Sequence, residues 1–391
     1  MEINSTASRS TYVPADVRLA NLARVVHELR SADALSRSDV ARRVGISLPT
    51  VHRLMSDLAD IQLVEEERPE VTGSRLGRPP VVYRFREDAA LLAGMDIGNE
   101  TTRLAITTLT GRVIASQAVT SDRLGGKLAS TLVARIREMV TSTGHSLDQL
   151  AGAGAGVAAA VDAAGVLRAP PMHSEWDGSP LRDELGSMLG CDVTVAQDDH
   201  LSPIAESSDA GTFPAAGSLL VIEIGRGIGV GMTLDGIPIS GAHNRFGRIA
   251  GWPVTNPVGA ADGTLGQCLV TSGLVSQYHE RGGTHDVRDG AALAAAARNG
   301  DDRAVQVFGW AAVQIADVVT RLQQLCDPQA VVIGGGLARA YDLLEPRMAG
   351  LLPADLKVAR SVLGEQAVVV GAVLVASTFI ESWLDKRLAR A

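Results

Sequence analysis

Three strand-to-turn segments carry residues suited to holding an oxyanion. In Asp96-Ile97-Gly98-Asn99 a carboxylate ends an apolar run, beside a turn tight enough for a phosphate. Gly225-Arg226-Gly227-Ile228-Gly229-Val230-Gly231 is a turn with several positions free of side chains. Backbone N–H groups in such a turn suit a negatively charged group. Gly334-Gly335-Gly336 ends an apolar strand and opens a helix, which lets a flat ligand pack close. Glycine turns are common in α/β proteins, so one alone carries little, and the order and spacing of the three carry the argument.

Each turn needs a strand to aim it. Residues 91–98, 104–109 and 113–115 read as consecutive strands, with turns at Gly98-Asn99 and Thr110-Gly111. A helix over about 127–142, a Gly/Ala-rich strand over 151–161, a helix over about 180–189 and a strand over 193–196 follow. The pattern then restarts. Residues 219–225 and 229–234 form a strand pair, helices fall near 265–280, 290–299 and 301–325, and a strand over 330–333 runs into the glycine triplet. An order given twice predicts two related α/β lobes with a cleft between them. The longest apolar run, 367–380, is shorter than the roughly 20 residues a membrane helix needs. It is predicted to be a buried strand leading into a helix, and no membrane contact is expected.

Ahead of these lobes stands a different kind of module. Residues 36–58 read as a helix, a glycine turn and a second helix. Ser36 caps the first, with Asp39 completing a capping box and Leu35 and Val40 placed as a hydrophobic staple. Ser47 caps the second, with Ile46 and Val51 in the same relation, and Gly45 supplies the turn. An earlier helix follows from the spacing of Leu19, Leu22, Val25, Val26 and Leu29, and residues 1–13 read as disordered. Two short β-like runs flank a polar Gly/Pro loop over 65–80 and predict a hairpin, the wing of a winged helix-turn-helix ending near 88. Such a module presents the start of its second helix to the major groove of double-stranded DNA. The exposed face offers Ser47, Pro49, Thr50, His52 and Arg53, while Val51, Leu54 and Leu58 face inward. Arg53 suits a guanine edge or a phosphate, and Ser47 and Thr50 suit phosphate. Arg75 and Arg78 of the wing reach the adjacent backbone or minor groove, or stand as a solvated loop. His52 has no His or Cys partner at ligand spacing and reads as a solvent-facing helix residue.

Composition agrees with this division. Residues 1–86 carry a net charge of +2 and the remainder −10, which fits a DNA module attached to a body that does not touch DNA. Cys191, Cys268 and Cys326 are too few and too scattered for a disulfide framework, and a reducing, cytoplasmic setting is expected.

The body resembles the ROK family of repressors and sugar kinases, whose fold is the two-lobed actin-like ATPase fold, and many members carry a winged helix in front. The family's first phosphate motif matches Asp96-Ile97-Gly98 and departs at Asn99-Glu100; its second matches Gly225, Gly227, Gly229 and Gly231, with Arg226 in place of Thr; its adenosine-side pair matches Gly334-Gly335. The catalytic segment matches residues 193–200, so Asp198 falls on the family's base, with Gln197 and His200 in place of asparagines. In the sugar and zinc segment, Arg248 stands where a Glu is expected and Gly251 where a His is expected. Ala260, Asp262 and Gln267 hold the three cysteine positions and Leu269 the last Glu, so Cys268 is left alone and no zinc is expected.

The resemblance implies domains over 1–88 and 89–391, with lobe one over about 89–200 plus the C-terminal helix and lobe two over about 201–372. Glu100 would repel the phosphates of ATP, and Arg248 inverts the charge of the sugar site, so Mg·ATP and kinase activity are not expected. Asp198 reads as a vestigial base, as a helix cap or as a ligand for a sugar hydroxyl. Gln197, Asp198, Asn244 and Arg248 are the candidate effector residues. Arg248 suits an anionic sugar derivative or a neighbouring carboxylate. A homodimeric or homotetrameric transcriptional regulator sensing a sugar is the expected function, and an active sugar kinase with an accessory DNA module is the rival.

Overall fold

The computed structural model describes residues 14–68, 81–168, 173–254 and 263–389. The expectation for residues 1–13, and the wing-tip residues Arg75 and Arg78, lie outside them.

The N-terminal module is built from local signals. Helix α1 (Pro14–Arg30) leads to strand β1 (Leu35–Ser36), helix α2 (Arg37–Val44), helix α3 (Leu48–Asp60) and strands β2 (Val64–Glu67) and β3 (Val82–Phe85). Ser36 accepts the Asp39 N–H and Asp39 reaches back to the Ser36 N–H, the reciprocal capping box. Gly45 closes α2 in the left-handed region, φ 72°. Ser47 accepts the Thr50 N–H at 3.4 Å, and Pro49 sits in the first turn of α3, where a missing N–H costs nothing. The three strands pair antiparallel in the order β1-β3-β2. At the base of the wing, the Tyr83 hydroxyl donates to Glu66 at 2.8 Å and the Arg37 guanidinium lies 5.1 Å from the Tyr83 ring centre. Burial, with the Glu66 carboxylate, pushes the Tyr83 hydroxyl up to about 12.

The first lobe follows. Strands β4 (Leu91–Ile97), β5 (Thr101–Thr108) and β6 (Val113–Thr120) form an antiparallel meander. Helix α4 (Leu128–Ser142) leads to β7 (Leu150–Val157), and the small pair β8 (Ala160–Val161) and β9 (Leu167–Arg168) leads to α5 (Leu181–Leu189), β10 (Asp192–Gln197) and α6 (Asp198–Glu206). Strands β7 and β10 run parallel to β4, giving the order β10-β7-β4-β5-β6. Ile97 and Gln197 both stand level with Val157, so the strand ends carrying Asp96 and Asp198 open on one crevice.

The second lobe repeats the pattern. Strands β11 (Ser218–Ile224), β12 (Ile228–Leu234) and β13 (Ile237–Pro238) are antiparallel. The short pair β14 (Pro253–Val254) and β15 (Gly263–Thr264), helices α7 (Leu265–Cys268), α8 (Thr271–Glu280), α9 (Gly290–Arg298) and α10 (Asp302–Cys326), strand β16 (Ala330–Gly334), helix α11 (Tyr341–Met348) and strand β17 (Lys357–Arg360) complete it, in the sheet order β13-β12-β11-β16-β17.

The chain then returns to the first lobe as helices α12 (Ala367–Ser377) and α13 (Ile380–Leu388). The strand expected over 367–380 is a correction: the segment is helical apart from the α12–α13 junction. An apolar run without a period does not distinguish the two states. What selects helix is the surface beneath: α12 lies on β4 and β7 where Gly94, Gly152, Gly154 and Gly156 leave a groove. By length and composition, 364–388 is apolar enough to cross a membrane, yet half of its most apolar 18-residue stretch is buried inside the protein. Helix α13 carries Ile380, Trp383 and Leu384 into a core shared with Leu22, Val25, Val26 and Leu29 of α1, and with Leu92 and Leu109 of the first lobe. The Arg30 guanidinium, desolvated there, donates to the Leu109 carbonyl.

Candidate functional site

The cleft is assembled from strand ends. Strand β4 stops at Ile97 because Gly98 turns back, its N–H reaching the Thr101 carbonyl at 3.2 Å; a Cβ there would stand 2.7 Å from that oxygen. Asp96 is buried, 3.4 Å from Arg103 on the paired strand. Burial and the charge of Asp198 push its carboxyl up to about 7 against the pull of Arg103. Across β7, Gln197 occupies the N-cap position of α6 and Asp198 is its first residue, accepting the Asp199 N–H at 2.9 Å. Burial lifts Asp198 to about 6. Asp199 is also raised, by burial and by Asp198.

The opposite wall is glycine. Glu223, near the end of β11, stands in register with Gly229 of β12 and Gly334 of β16. A Cβ at Gly334 would meet the Glu223 carboxylate at 2.7 Å, and one at Gly229 would meet Asp199 Oδ2 at 2.6 Å. The two carboxylates therefore occupy the space that side-chain-free positions leave. Burial, reinforced by Asp198, Glu206 and Asp96 and opposed by Ser202, pushes Glu223 up to about 8. The sequence analysis missed Glu223; its signal was a charged residue in an otherwise apolar strand immediately before a glycine turn.

These raised acids fix a sign. Below about 4.5 Glu223 is protonated in folded and unfolded chain alike, and its contribution to stability is intact. As pH rises to about 8 the folded protein holds a proton the unfolded chain has released, so that contribution is lost. Asp96 and Asp198 act in the same direction over lower ranges. Glu223→Gln is expected to melt roughly 2 °C above wild type at alkaline pH and level with it in acid. Thermal scans at the two pH values check this, and an equal offset at both would refute it.

The turns expected to cradle phosphates hold ion pairs between protein groups. Arg226 of the β11–β12 turn pairs with Glu100 of the β4–β5 turn, across the cleft. Arg103 pairs with Glu365, which also takes Arg339 from the segment after the glycine triplet. None of these three ion pairs was foreseen, although Glu100 and Arg226 were each noted singly. Where the sugar was expected, Arg248 donates to Gln197 Oε1 at 3.1 Å, and Gln197 donates to Asp199 Oδ1 at 3.2 Å. Asn244, at φ 51°, donates instead to the Val161 carbonyl at 3.1 Å. Gln197, Asp198 and Arg248 thus come together, and Asn244 joins the lobes beside them. The ring of His200 is buried with Nε2 unpartnered, 3.8 Å from Asp199, and burial lowers its pKa.

The segment that would hold zinc does not suit it. Cys268 Sγ stands where a Cβ at Gly263 would go, Gln267 Oε1 receives the Thr264 N–H at 3.1 Å, and Leu269 is buried. That set lacks the four sulfur or nitrogen donors of a structural site. Residues 260–262 lie outside the described residues.

In the N-terminal module Val51, Leu54, Met55 and Leu58 of α3 are buried, whereas Ser47, Pro49, His52 and Arg53 face solvent and Thr50 is half-buried. Arg53 forms no ion pair among the described residues.

Comparison with known proteins agrees with both halves. The ROK family model matches residues 92–378, and the IclR helix-turn-helix domain model matches 19–68. The chain is 27% identical over 274 residues to a glucokinase of Halalkalibacterium halodurans, covering 65% of this chain and 82% of that protein. It is 24% identical over 381 residues to a transcriptional regulator of Mycobacterium bovis, covering 90% and 84%. Its fold matches the crystal structure of a ROK family transcriptional regulator, a homolog of the E. coli MLC protein, with a TM-score of 0.76 at 20% identity over 96% of this chain and 100% of that one. The protein belongs to the ROK family and carries a helix-turn-helix DNA-binding domain ahead of its actin-like, sugar-kinase fold.

Proposed function

We propose that this chain is a cytoplasmic transcriptional regulator in which residues 1–88 read double-stranded DNA and the cleft of residues 89–391 receives a sugar or sugar derivative. Lobe one spans about 89–200 with the C-terminal helix, and lobe two about 201–372. The observation that carries the reading is the Glu100–Arg226 ion pair, which sets a carboxylate of the protein between the turns where a kinase would hold phosphates. Glu223 is a further buried acid, on the opposite wall. Neither Mg·ATP nor zinc enters the reading.

Arg248 gives the effector its chemistry. Among the described residues its hydrogen-bond partner is a neutral amide, Gln197, and its charge also acts on Asp199, so its guanidinium suits an anionic group at the rim, while Asp198 offers an acceptor to a hydroxyl below. The effector changes DNA affinity by binding two arrangements of the lobes unequally. A homodimer or homotetramer would set recognition helices on half-sites about 34 Å, or a multiple of that, apart.

A kinase remains the second reading, because Asp198 stands at a strand end with its pKa lifted toward neutrality, as a general base requires. Two experiments separate them. Selection of genomic fragments by the purified full chain is expected to return a discrete set of sites, and a coupled ATP-consumption assay across common hexoses is expected to stay at background. Brisk turnover with no fragment retained would overturn the proposal. For the effector, titration of a sugar acid is expected to show at least about fivefold weaker binding to Arg248→Glu; equal affinity would remove Arg248 from the site.

A further inference from the structure

Leu48 is out of place in its domain. It is 54% exposed at the first position of α3, whereas Leu22, Leu29, Leu35, Leu54, Leu58 and Leu63 are each below 5%. Single exposed leucines are ordinary on a protein surface. This one stands at the end of the helix that a helix-turn-helix directs into the major groove. It is the first residue of α3, directly after the Ser47 cap, and stays exposed while Val51, Leu54, Met55 and Leu58 of the same helix are buried. Pro49 beside it is exposed, and His52, one turn on, shares its face. Leu48 stands among the polar and cap residues Ser47, Pro49, Thr50, His52 and Arg53 that residue type alone singles out, and is apolar itself.

The major groove presents one apolar group, the 5-methyl of thymine. An aliphatic side chain at the leading end of a recognition helix meets that group while the cations around it meet phosphate. Arg53, which has no ion-pair partner among the described residues, lies one turn beyond Pro49. Positive charge without a partner among the described residues, beside the apolar tip, favours a nucleic acid over an apolar protein surface as its occupant.

We propose that Leu48 is a specificity-determining residue that reads a thymine methyl group in each half-site, with Pro49 extending the apolar contact. The proposal rests on the DNA-binding reading above. The test uses the full chain and a duplex trimmed from the most strongly retained genomic fragment. Each thymine is replaced in turn by deoxyuridine, which lacks only the methyl, and affinity is measured by fluorescence anisotropy at one fixed salt concentration. Wild type is expected to lose about fourfold in affinity at one thymine per half-site, the worth of one buried methyl. Leu48→Ala is expected to keep the wild-type melting temperature, to bind the unmodified duplex more weakly, and to ignore that uracil. Leu48→Gln, equally compatible with an exposed helical position, repeats the comparison should the alanine variant be unstable.

Three results would overturn it: no thymine matters; the same thymine matters equally in wild type and variant; or the substitution weakens self-association with the intrinsic DNA affinity unchanged. If no fragment is retained at all, the DNA-binding reading falls with it. A retained fragment indifferent to every uracil removes Leu48 alone.

Discussion

Gly154→Val is expected to leave the protein without a folded first lobe. Strand β7 is buried along its whole length, and α12 crosses it in van der Waals contact. A Cβ at Gly154 would stand 2.1 Å from the Ala372 carbonyl oxygen and 2.8 Å from its carbon. Those are backbone atoms of a helix, so no rotamer change makes room. Nor can α12 retreat freely, because a Cβ at its own Gly371 would already stand 2.2 Å from the Leu201 carbonyl of α6. The helix is held between a strand and a second helix whose first residue is Asp198. Overpacking of this kind, with loss of the contacts α12 makes to β4 and β7, costs about 4 kcal/mol or more. The measurement is soluble yield with circular dichroism and urea unfolding. A soluble variant whose midpoint falls within about 0.3 M of wild type would show that the groove tolerates a side chain.

Trp383→Ala acts at the other end of the same element. Trp383 is 8% exposed and belongs to the core that α13 shares with α1 of the reader and with Leu92 and Leu109 of the first lobe. Truncating a buried Trp costs about 3 to 5 kcal/mol. The loss should be local, with amides of α1 and α13 exchanging faster and those of α10 unchanged. Because α13 continues from α12, which packs against α6 behind Asp198, contacts run without a break from the cleft to the N-terminal module. On the proposed reading, in which an effector in the cleft changes DNA affinity, the variant is expected to bind DNA with little response to it. If its response to the effector equals that of wild type, the coupling runs through some other contact.

Some of this architecture was legible because its causes are local. The reciprocal bonds of Ser36 and Asp39, the Ser47 cap and the left-handed Gly45 are interactions within four residues, and side-chain chemistry alone announces them. The doubled strand pattern was legible because turns punctuate it. Helix α12 was not, since a segment apolar on every side has no period and its state is chosen by glycines of β4 and β7 far away in sequence. In the cleft, the residue types at 197, 198 and 248 could be singled out, but the Arg248–Gln197 bond joins residues 51 apart and only the fold brings them together. The pairing of Glu100 with Arg226 spans the two lobes in the same way. Helix α6 was offered only as one alternative, that in which Asp198 caps a helix; Pro203 lies inside it, a residue that ordinarily argues for a break. Asp198 follows the cap position rather than filling it.

The shared core of α1 and α13 has a consequence for synthesis. Domains emerge from the ribosome in order, and an N-terminal module usually folds before the rest is made. Here the core that α1 enters also takes Trp383 and Leu384, some 360 residues later in the chain, so it is complete only when the last helices are made. A nascent or prematurely terminated chain would carry the helix-turn-helix with this apolar flank open, a target for chaperones and proteases. A chain lacking its last helices would thus expose apolar surface on the N-terminal module that the full chain buries.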